Sequence, residues 1–385
     1  MRVAPLAIRL TRNLPFIFPE MREEMVSAFN DVIPQEYALE WQTISAADGI
    51  TEIIGRLCNR VILGPHICRE PAILALKRQL IKDKADFVLD ILPEPLSVLI
   101  AGLRRRTKKL SQLLKPTIQL QQRVQKESPV GSHYRTSSDA QNTILSSLIA
   151  ETSTPHTPYE ITRNIIALNL QAVSTTSLAF THALYHLAAS NTHVVQPMRE
   201  EIQAALRGEG WTLHALERMH RIDSFLKESM RLSGLHALTM HRESRKPYVF
   251  SGGTHIPTGA HLAAACASVH TDAARYASPE TFDATRFVRA GSEGAPRYQL
   301  TTTGLDFLAW GHGRAACPGR FFAAAVMKMM LAYVVLEYDV RLSEGDAADG
   351  SGDVEARRPR DIWVGYERIP DLHAELLFRK RKGFR

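Results

Sequence analysis

Cysteine is scarce in this chain, with four residues among 385: Cys58, Cys68, Cys266 and Cys317. No two of them have the Cys-x-x-Cys spacing that is typical of structural zinc sites and redox motifs. Small secreted domains held together by disulfides carry many more cysteines per residue. The scarcity and the spacing argue against a zinc centre and a disulfide scaffold, and they indicate a reducing compartment.

A strong excess of charge is also missing. Lys and Arg total 47 against 40 for Asp and Glu, which gives a net charge of +7. The densest basic run, RRRTKK at residues 104–109, has no aromatic residue among its charges, so nucleic-acid binding is not favoured. The mild basic excess would suit an acidic partner or an anionic membrane face.

No apolar run has the character of a membrane span. A long stretch without charged residues, 164–190, contains Asn169, Gln171, His182 and His186 among other polar residues. A lipid-facing helix does not tolerate so many polar groups, so the sequence predicts no transmembrane segment. With 45% hydrophobic residues the chain is long enough to bury a large core, as one big domain or two smaller ones.

Apolar periodicity predicts a mainly helical fold. Residues 1–125 are interpreted as successive amphipathic helices, for example residues 21–33 and 71–92, and a polar loop follows at 125–142. Thr157, Pro158 and Glu160 then form a helix-start pattern, which predicts a helix from Pro158 to about residue 190. One face of that helix carries the residues at steps of three and four, namely Ile161, Ile165, Leu168, Ala172, Thr175 and Ala179.

The pattern changes after Gly234. Short apolar segments broken by Gly-Gly and Pro-Thr-Gly turns predict strands, and the tail at residues 361–381 has the same character. The sequence therefore predicts a helical region over 1–234 and a mixed, β-rich region over 235–385.

Residues 310–322, WGHGRAACPGRFF, surround a single sulfur with small residues. Small residues allow close backbone approach, and a helix N-terminus after Pro318 would favour a thiolate. The following helix has one apolar face, formed by Phe322, Ala325, Val326, Met329, Met330 and Tyr333. Taken alone, Cys-Pro-Gly is also compatible with a buried structural cysteine beside a helix turn.

This loop resembles the haem-binding loop of cytochrome P450 monooxygenases. The family pattern is an aromatic residue, Gly three later, Cys four after that, and Gly two further on. Trp310, Gly313, Cys317 and Gly319 fill these positions, with Trp instead of the usual Phe, and the flanking residues resemble the fungal branch. The resemblance implies the cytochrome P450 fold, in one domain over 1–385, with Cys317 as the axial thiolate of a b-type haem.

Two further segments resemble the family. ESMR at residues 228–231 matches its Glu-x-x-Arg, which is paired with a later arginine that FDATRF supplies as Arg286. The resemblance implies a buried structural triad of Glu228, Arg231 and Arg286, whereas a Glu-x-x-Arg pair alone is most often a surface ion pair.

The long helix carries QAVSTT, residues 171–176, which is similar to the family segment above the haem. The resemblance gives Thr175 a role in proton delivery, with Ser174 where the family has an acid. A lone threonine on such a face is also compatible with a simple bond to the preceding helical turn.

The resemblance also implies contacts for other residues. Arg242 corresponds to an arginine that binds a haem propionate, and Arg314 is a second candidate from the loop. Residues 233–238, SGLHAL, resemble the family segment that lines the pocket above the haem. The resemblance implies that Leu235, Ala237 and Leu238 contact the substrate.

The implied activity is a haem-thiolate monooxygenase that oxidises an apolar small molecule, in fungal secondary metabolism. Its electrons would come from NADPH-cytochrome P450 reductase, and the family is expected at the endoplasmic reticulum membrane. The segment IRLTRNL, residues 8–14, resembles the family's helix C, so we expect the N-terminal anchor and first elements to be missing, with at most peripheral membrane contact.

Two alternatives stay open from the sequence. The missing N-terminal elements and Ser174 are compatible with a truncated or inactive relative that catalyses little. An all-helical interaction protein with a structural Cys317 is the unrelated alternative.

Overall fold

The computed structural model describes residues 3–34, 39–65, 67–75, 96–127, 143–150, 157–190, 192–290, 299–343 and 358–381. Its helices are α1 Val3–Val32, α2 Ala46–Leu63, α3 Leu96–Glu127, α4 Ile144–Ala150, α5 Pro158–Ala189, α6 Thr192–Leu206, α7 Leu213–Glu217, α8 His220–Leu232, α9 Cys266–His270, α10 Arg286–Ala290 and α11 Arg320–Glu337. Its strands are β1 Gln42–Ser45, β2 Leu238–Glu243, β3 Tyr248–Val249, β4 His255–Ile256, β5 His261–Ala265, β6 Tyr338–Leu342, β7 Ile362–Val364, β8 Glu367–Ile369 and β9 Glu375–Lys380.

Helix α5 is the central element of the helical part. It begins with a capping box: the Thr157 hydroxyl accepts from the Glu160 N–H, and the Glu160 carboxylate accepts from the Thr157 N–H. These two bonds satisfy N–H groups that a helix start leaves unpaired. The helix runs to Ala189, as its pattern predicts, and packs against α2, α3, α8 and α11.

The largest sheet joins both ends of the described chain. Strand β9 lies between β1 and β6, and both pairings are antiparallel, with Ile44 opposite Leu376 and Val340 opposite Phe378. The prediction that residues 1–125 are helical is therefore wrong at Gln42–Ser45. This four-residue strand is too short for a clear period-two pattern, and it is stabilised by a partner more than 300 residues away.

The predicted strands after Gly234 are present as three antiparallel pairs: β2 with β5, β3 with β4, and β7 with β8. Two predicted segments lie wholly or partly outside the described residues. Residues 71–75 of the predicted helix 71–92 are helical, and residues 76–92 are not described. Helix α3 extends to Glu127, and the remainder of the predicted loop, residues 128–142, is likewise not described.

Membrane crossing is not supported by any helix in the ranges given above: none combines enough length with enough apolar character.

Candidate functional site

A cavity of about 470 Å³ lies between α5 and the loop that leads into α11. Its volume falls in the range of small-molecule sites, which is roughly 300 to 1,000 Å³. Its wall is mostly apolar and includes Leu168, Ala172, Thr175, Met230 and Cys317. Arg242 is the only lysine, arginine or carboxylate residue among the described residues of this wall.

Cys317 lies on the cavity wall immediately before α11. Its backbone N–H donates to the Trp310 carbonyl at 2.7 Å, and the Trp310 indole N–H donates to the Leu300 carbonyl at 2.7 Å. Gly311 has a φ of +70°, and a Cβ there would come within 3.3 Å of the Ala315 carbonyl oxygen. The loop therefore closes tightly around the sulfur and requires glycine at position 311.

The Cys317 thiol has competing influences on its pKa. The pKa is raised because burial outweighs the hydrogen bonds from the backbone N–H groups of Gly319 and Arg320 and the charge of Arg320, all of which lower it. The N–H groups belong to the start of α11, whose N-cap is Gly319 and whose first residue is Arg320, two positions after Pro318. The predicted apolar face of this helix is buried at all six positions, Phe322, Ala325, Val326, Met329, Met330 and Tyr333.

The structure brings the three predicted triad residues together. Arg231 donates to both carboxylate oxygens of Glu228 at 2.8 Å, and Arg286 donates to Glu228 Oε1 at 2.9 Å. Glu228 and Arg231 are almost fully buried, so this is not a surface ion pair. Both arginines also donate to backbone carbonyls, including that of Thr281. The cluster ties the end of α8 to the segment before α10.

His270 connects this cluster to the loop that precedes the cysteine, a connection that the sequence reasoning missed. Arg231 donates to the His270 carbonyl, and the His270 ring accepts from the Leu308 N–H at 2.9 Å. Burial lowers the pKa of His270 to about 4, so the ring is neutral near pH 7 and Nε2 can accept this hydrogen bond. A buried histidine thus fixes the backbone at Leu308, two residues before Trp310.

Thr175 and Ser174 lie differently with respect to the cavity. Thr175 lines it, and Ser174 is not among the described residues of its wall. The Thr175 hydroxyl donates to the Gln171 carbonyl at 2.7 Å, and the Ser174 hydroxyl donates to the Leu170 carbonyl. Both hydroxyls therefore donate a hydrogen bond to the preceding helical turn, as is common for Ser and Thr in helices. Each hydroxyl oxygen can still accept a hydrogen bond from another donor.

The other predicted cofactor contacts divide into two groups. Trp310, Gly319 and Arg242 line the cavity, and the Arg242 guanidinium donates to the His241 carbonyl at 2.7 Å. Gly313 and Arg314 do not line it: they lie in the 3-10 turn Gly313–Ala315, and both are exposed to solvent.

The predicted substrate contacts need a correction. Leu235 lines the cavity, whereas Ala237 and Leu238 do not. The N–H and carbonyl groups of Ala237 are used in backbone bonds to neighbouring segments, and Leu238 pairs with Ala265 and is 37% exposed. Between Ser233 and Met240, the wall residues without a predicted contact are Ser233, Gly234, His236, Thr239 and Met240. A bulge between Thr239 and Arg242, with Met240 at a φ of +54°, decides which side chains face inward, and apolar patterning does not reveal it.

Comparisons with known proteins agree with this geometry. The Cytochrome P450 family model matches residues 12–351. A cytochrome P450 monooxygenase 151 of Postia placenta is 34% identical over 385 aligned positions, covering 97% of this chain and 74% of that protein. The chain belongs to the cytochrome P450 family.

Other cytochromes P450 are similar over most of the chain. An ent-kaurene oxidase of Gibberella intermedia is 31% identical, over 97% of this chain and 69% of the relative. A solved structure of a retinoic acid-bound cyanobacterial cytochrome P450 is 18% identical with a TM-score of 0.69, covering 96% of this chain and 76% of that one. This likeness shows the cytochrome P450 fold, which is mainly helical with small sheets.

Membership makes this cytochrome P450 an oxidoreductase, a monooxygenase, and implies a haem with a cysteine thiolate ligand. The residues of the cavity fit such a group. One wall presents the Cys317 thiol with two backbone N–H donors aimed at the sulfur, and Arg242 supplies a cation for a carboxylate. The remainder of the wall is largely apolar, which suits the faces of a porphyrin.

Proposed function

We propose that this cytochrome P450 holds a b-type haem through the Cys317 thiolate and inserts one oxygen atom of O₂ into an apolar small molecule. The observation that carries the proposal is that Cys317 and Thr175 share one apolar cavity, in which Arg242 is the one lysine or arginine among the described lining residues. When bound, the haem supplies the activation of O₂. The protein supplies the thiolate, the orientation of the substrate and the exclusion of water.

Each cavity residue has a distinct proposed task. Cys317 holds the iron, and the N–H groups of Gly319 and Arg320 stabilise its negative charge. Arg242 holds a haem propionate, with Arg314 as a second cation from outside the wall. The Thr175 hydroxyl, fixed by the Gln171 carbonyl, accepts and passes a proton at Oγ1, and Ser174 supports the same helical turn.

The proposed electron donor is NADPH-cytochrome P450 reductase. The net charge of +7 is compatible with docking to an acidic partner. Relatives at 30% identity or more come from fungi, and a role in fungal secondary metabolism stays a prediction. Location at the endoplasmic reticulum membrane and one continuous domain over residues 1–385 stay predictions.

Because ent-kaurene oxidases are among the relatives, ent-kaurene is the first substrate to test. The purified holoenzyme would be combined with a fungal NADPH-cytochrome P450 reductase, isotopically labelled O₂ and a panel of terpene hydrocarbons. We expect a product that carries one labelled oxygen atom and that forms only with NADPH.

An unlabelled product would contradict monooxygenation. A correct haem-thiolate spectrum without turnover or substrate-induced spectral change on an extended apolar panel would contradict the proposed activity and favour an inactive relative. Omission of NADPH and replacement of the enzyme by Cys317→Ser are the matched controls.

A further inference from the structure

One wall of the cavity is formed by the short segment that connects α8 to β2. Residues 232–237, here called the wall segment, begin at the last residue of α8, and Ser233, Gly234, Leu235 and His236 from this segment line the cavity. The backbone of the segment is bound from behind by β7–β8: Arg368 N–H donates to the Leu235 carbonyl at 2.8 Å, and Ala237 N–H donates to a carbonyl of that hairpin at 2.7 Å. The position of the wall therefore depends on the C-terminal part of the chain.

A buried charged cluster strengthens this dependence. The Arg358 guanidinium donates to Ser233 Oγ at 2.8 Å, to the two carboxylate oxygens of Asp361 at 2.6 and 3.2 Å, and to His182 Nδ1 at 2.9 Å. Arg358 is 6% exposed and His182 is 1% exposed. We call Arg358, Asp361, His182 and Ser233 the Arg358 cluster.

The cluster joins three elements that are far apart in sequence. His182 belongs to α5, Ser233 to the wall segment, and Arg358 and Asp361 to the segment before β7. Burial, followed by the charge of Arg358, lowers the pKa of His182, so the ring is neutral and its Nδ1 accepts from the guanidinium. Because a buried guanidinium tolerates the loss of a partner poorly, the cluster favours one arrangement of the three elements.

Only one member of the cluster reaches the cavity. Ser233 lines it, whereas Arg358, Asp361 and His182 are not among the described residues of its wall. A second guanidinium, that of Arg368, donates to the carbonyl of Leu232, the residue that precedes Ser233. The wall is thus held by two cations that lie outside the cavity.

We infer that Arg358 is a positioning residue: through Ser233 it fixes the wall segment against α5 and thereby sets which ligand sizes the cavity accepts. Two experiments test this inference. The one that uses haem ligands rests on the proposed function, and the one that measures backbone hydrogen exchange does not, so the two can fail separately.

The backbone arm compares hydrogen–deuterium exchange of peptides covering residues 232–237 in the wild type, Ser233→Ala and Arg358→Met. Arg199→Met is the matched control, because Arg199 is also a buried arginine that binds a carbonyl and a carboxylate, those of Val335 and Asp339, away from this cavity. Losing one buried hydrogen bond predicts exchange about fivefold faster in Ser233→Ala, and faster still in Arg358→Met. Arg199→Met should leave these peptides unchanged.

The ligand arm measures the dissociation constants of imidazole and 4-phenylimidazole by the spectral shift of the holoenzyme. We expect the ratio of the two constants to change about fivefold in Ser233→Ala and to stay constant in Arg199→Met. A general loss of stability would weaken both ligands alike and leave the ratio unchanged.

The inference is overturned if Ser233→Ala folds with unchanged exchange at residues 232–237 and an unchanged ratio. Arg358→Met adds a second variant, and its failure to fold would leave Ser233→Ala to decide. If the wild type shows no haem spectrum, the proposed function fails, and the exchange arm alone then decides the inference.

Discussion

The two walls of the cavity are stabilised in different ways. On the cysteine side, bonds between segments hold the loop: the Trp310 indole donates to the Leu300 carbonyl, and His270 connects Leu308 to the triad of Glu228, Arg231 and Arg286. On the α5 side, the hydroxyls of Ser174 and Thr175 donate to carbonyls one turn back within their own helix. The loop on the cysteine side thus depends on buried charges from several segments, whereas these two hydroxyls are positioned by bonds within α5.

This difference separates effects on folding from effects on catalysis. A substitution on the cysteine side removes a partner from a buried charge and should cost stability. A substitution at Thr175 leaves the helix intact and should affect the chemistry alone.

The largest effect on stability is expected at the triad. Arg286→Met leaves Glu228 with one cationic partner in a fully buried site, so the free energy of unfolding should fall by about 3 to 5 kcal/mol. The measurement is urea unfolding followed by circular dichroism.

Arg275→Met is the matched control for the triad. Arg275 also pairs with a carboxylate, Asp272, at 3.1 Å, but both side chains are about 40% exposed. Its loss should cost less than about 1 kcal/mol. An equal loss of unfolding free energy in the two variants would contradict the stabilising role of the buried triad.

Thr175→Val tests the other wall. We expect product formed per NADPH consumed to fall by about a hundredfold, because a positioned proton-transfer group contributes at least that much. Thermal stability should change little, and Thr175→Ser should restore turnover because it keeps the hydroxyl.

Thr162→Val is the control within the same helix. Its hydroxyl makes the same kind of bond, to the Pro158 carbonyl at 2.7 Å, but it does not line the cavity. Equal product yields from Thr162→Val and Thr175→Val would remove the proposed role of the Thr175 hydroxyl.

A smaller, pH-dependent effect is expected at Glu201, a carboxyl without a cationic side chain at hydrogen-bond distance among the described residues. Its oxygens accept from the Arg221 N–H at 2.8 and 3.1 Å, and burial raises its pKa from 4.5 to about 7. The folded protein therefore binds this proton more tightly than the unfolded chain. The contribution to stability is fully present below pH 4.5 and is lost as the pH rises through about 7.

Unfolding free energies at several pH values would measure this effect. The loss from Glu201 across that range is at most about 3 kcal/mol, and Glu201→Gln should flatten the profile by that amount. Parallel profiles for the wild type and the variant would show that Glu201 titrates normally.

The sequence predicted the elements that have strong local signals. The start and end of α5, the buried face of α11 and the strands after Gly234 follow from capping residues and apolar spacing. The residues of the triad were found through the family resemblance, because three charged residues in two segments have no periodicity of their own.

The remaining features depend on tertiary structure. Strand β1 exists through its pairing with β9, and the inward side chains near Met240 depend on a left-handed residue and a bulge. The Arg358 cluster joins residues 176 positions apart in the chain. Neither local propensity nor a family motif indicates such pairings, because their energy comes from burial in the folded state.

The most direct test of the central claim is the carbon monoxide difference spectrum of the dithionite-reduced protein, recorded beside Cys317→Ser. We expect a red-shifted band, typical of a thiolate ligand, in the wild type and its disappearance in Cys317→Ser. A wild type without bound haem, or a band that survives in Cys317→Ser, would contradict Cys317 as the axial ligand.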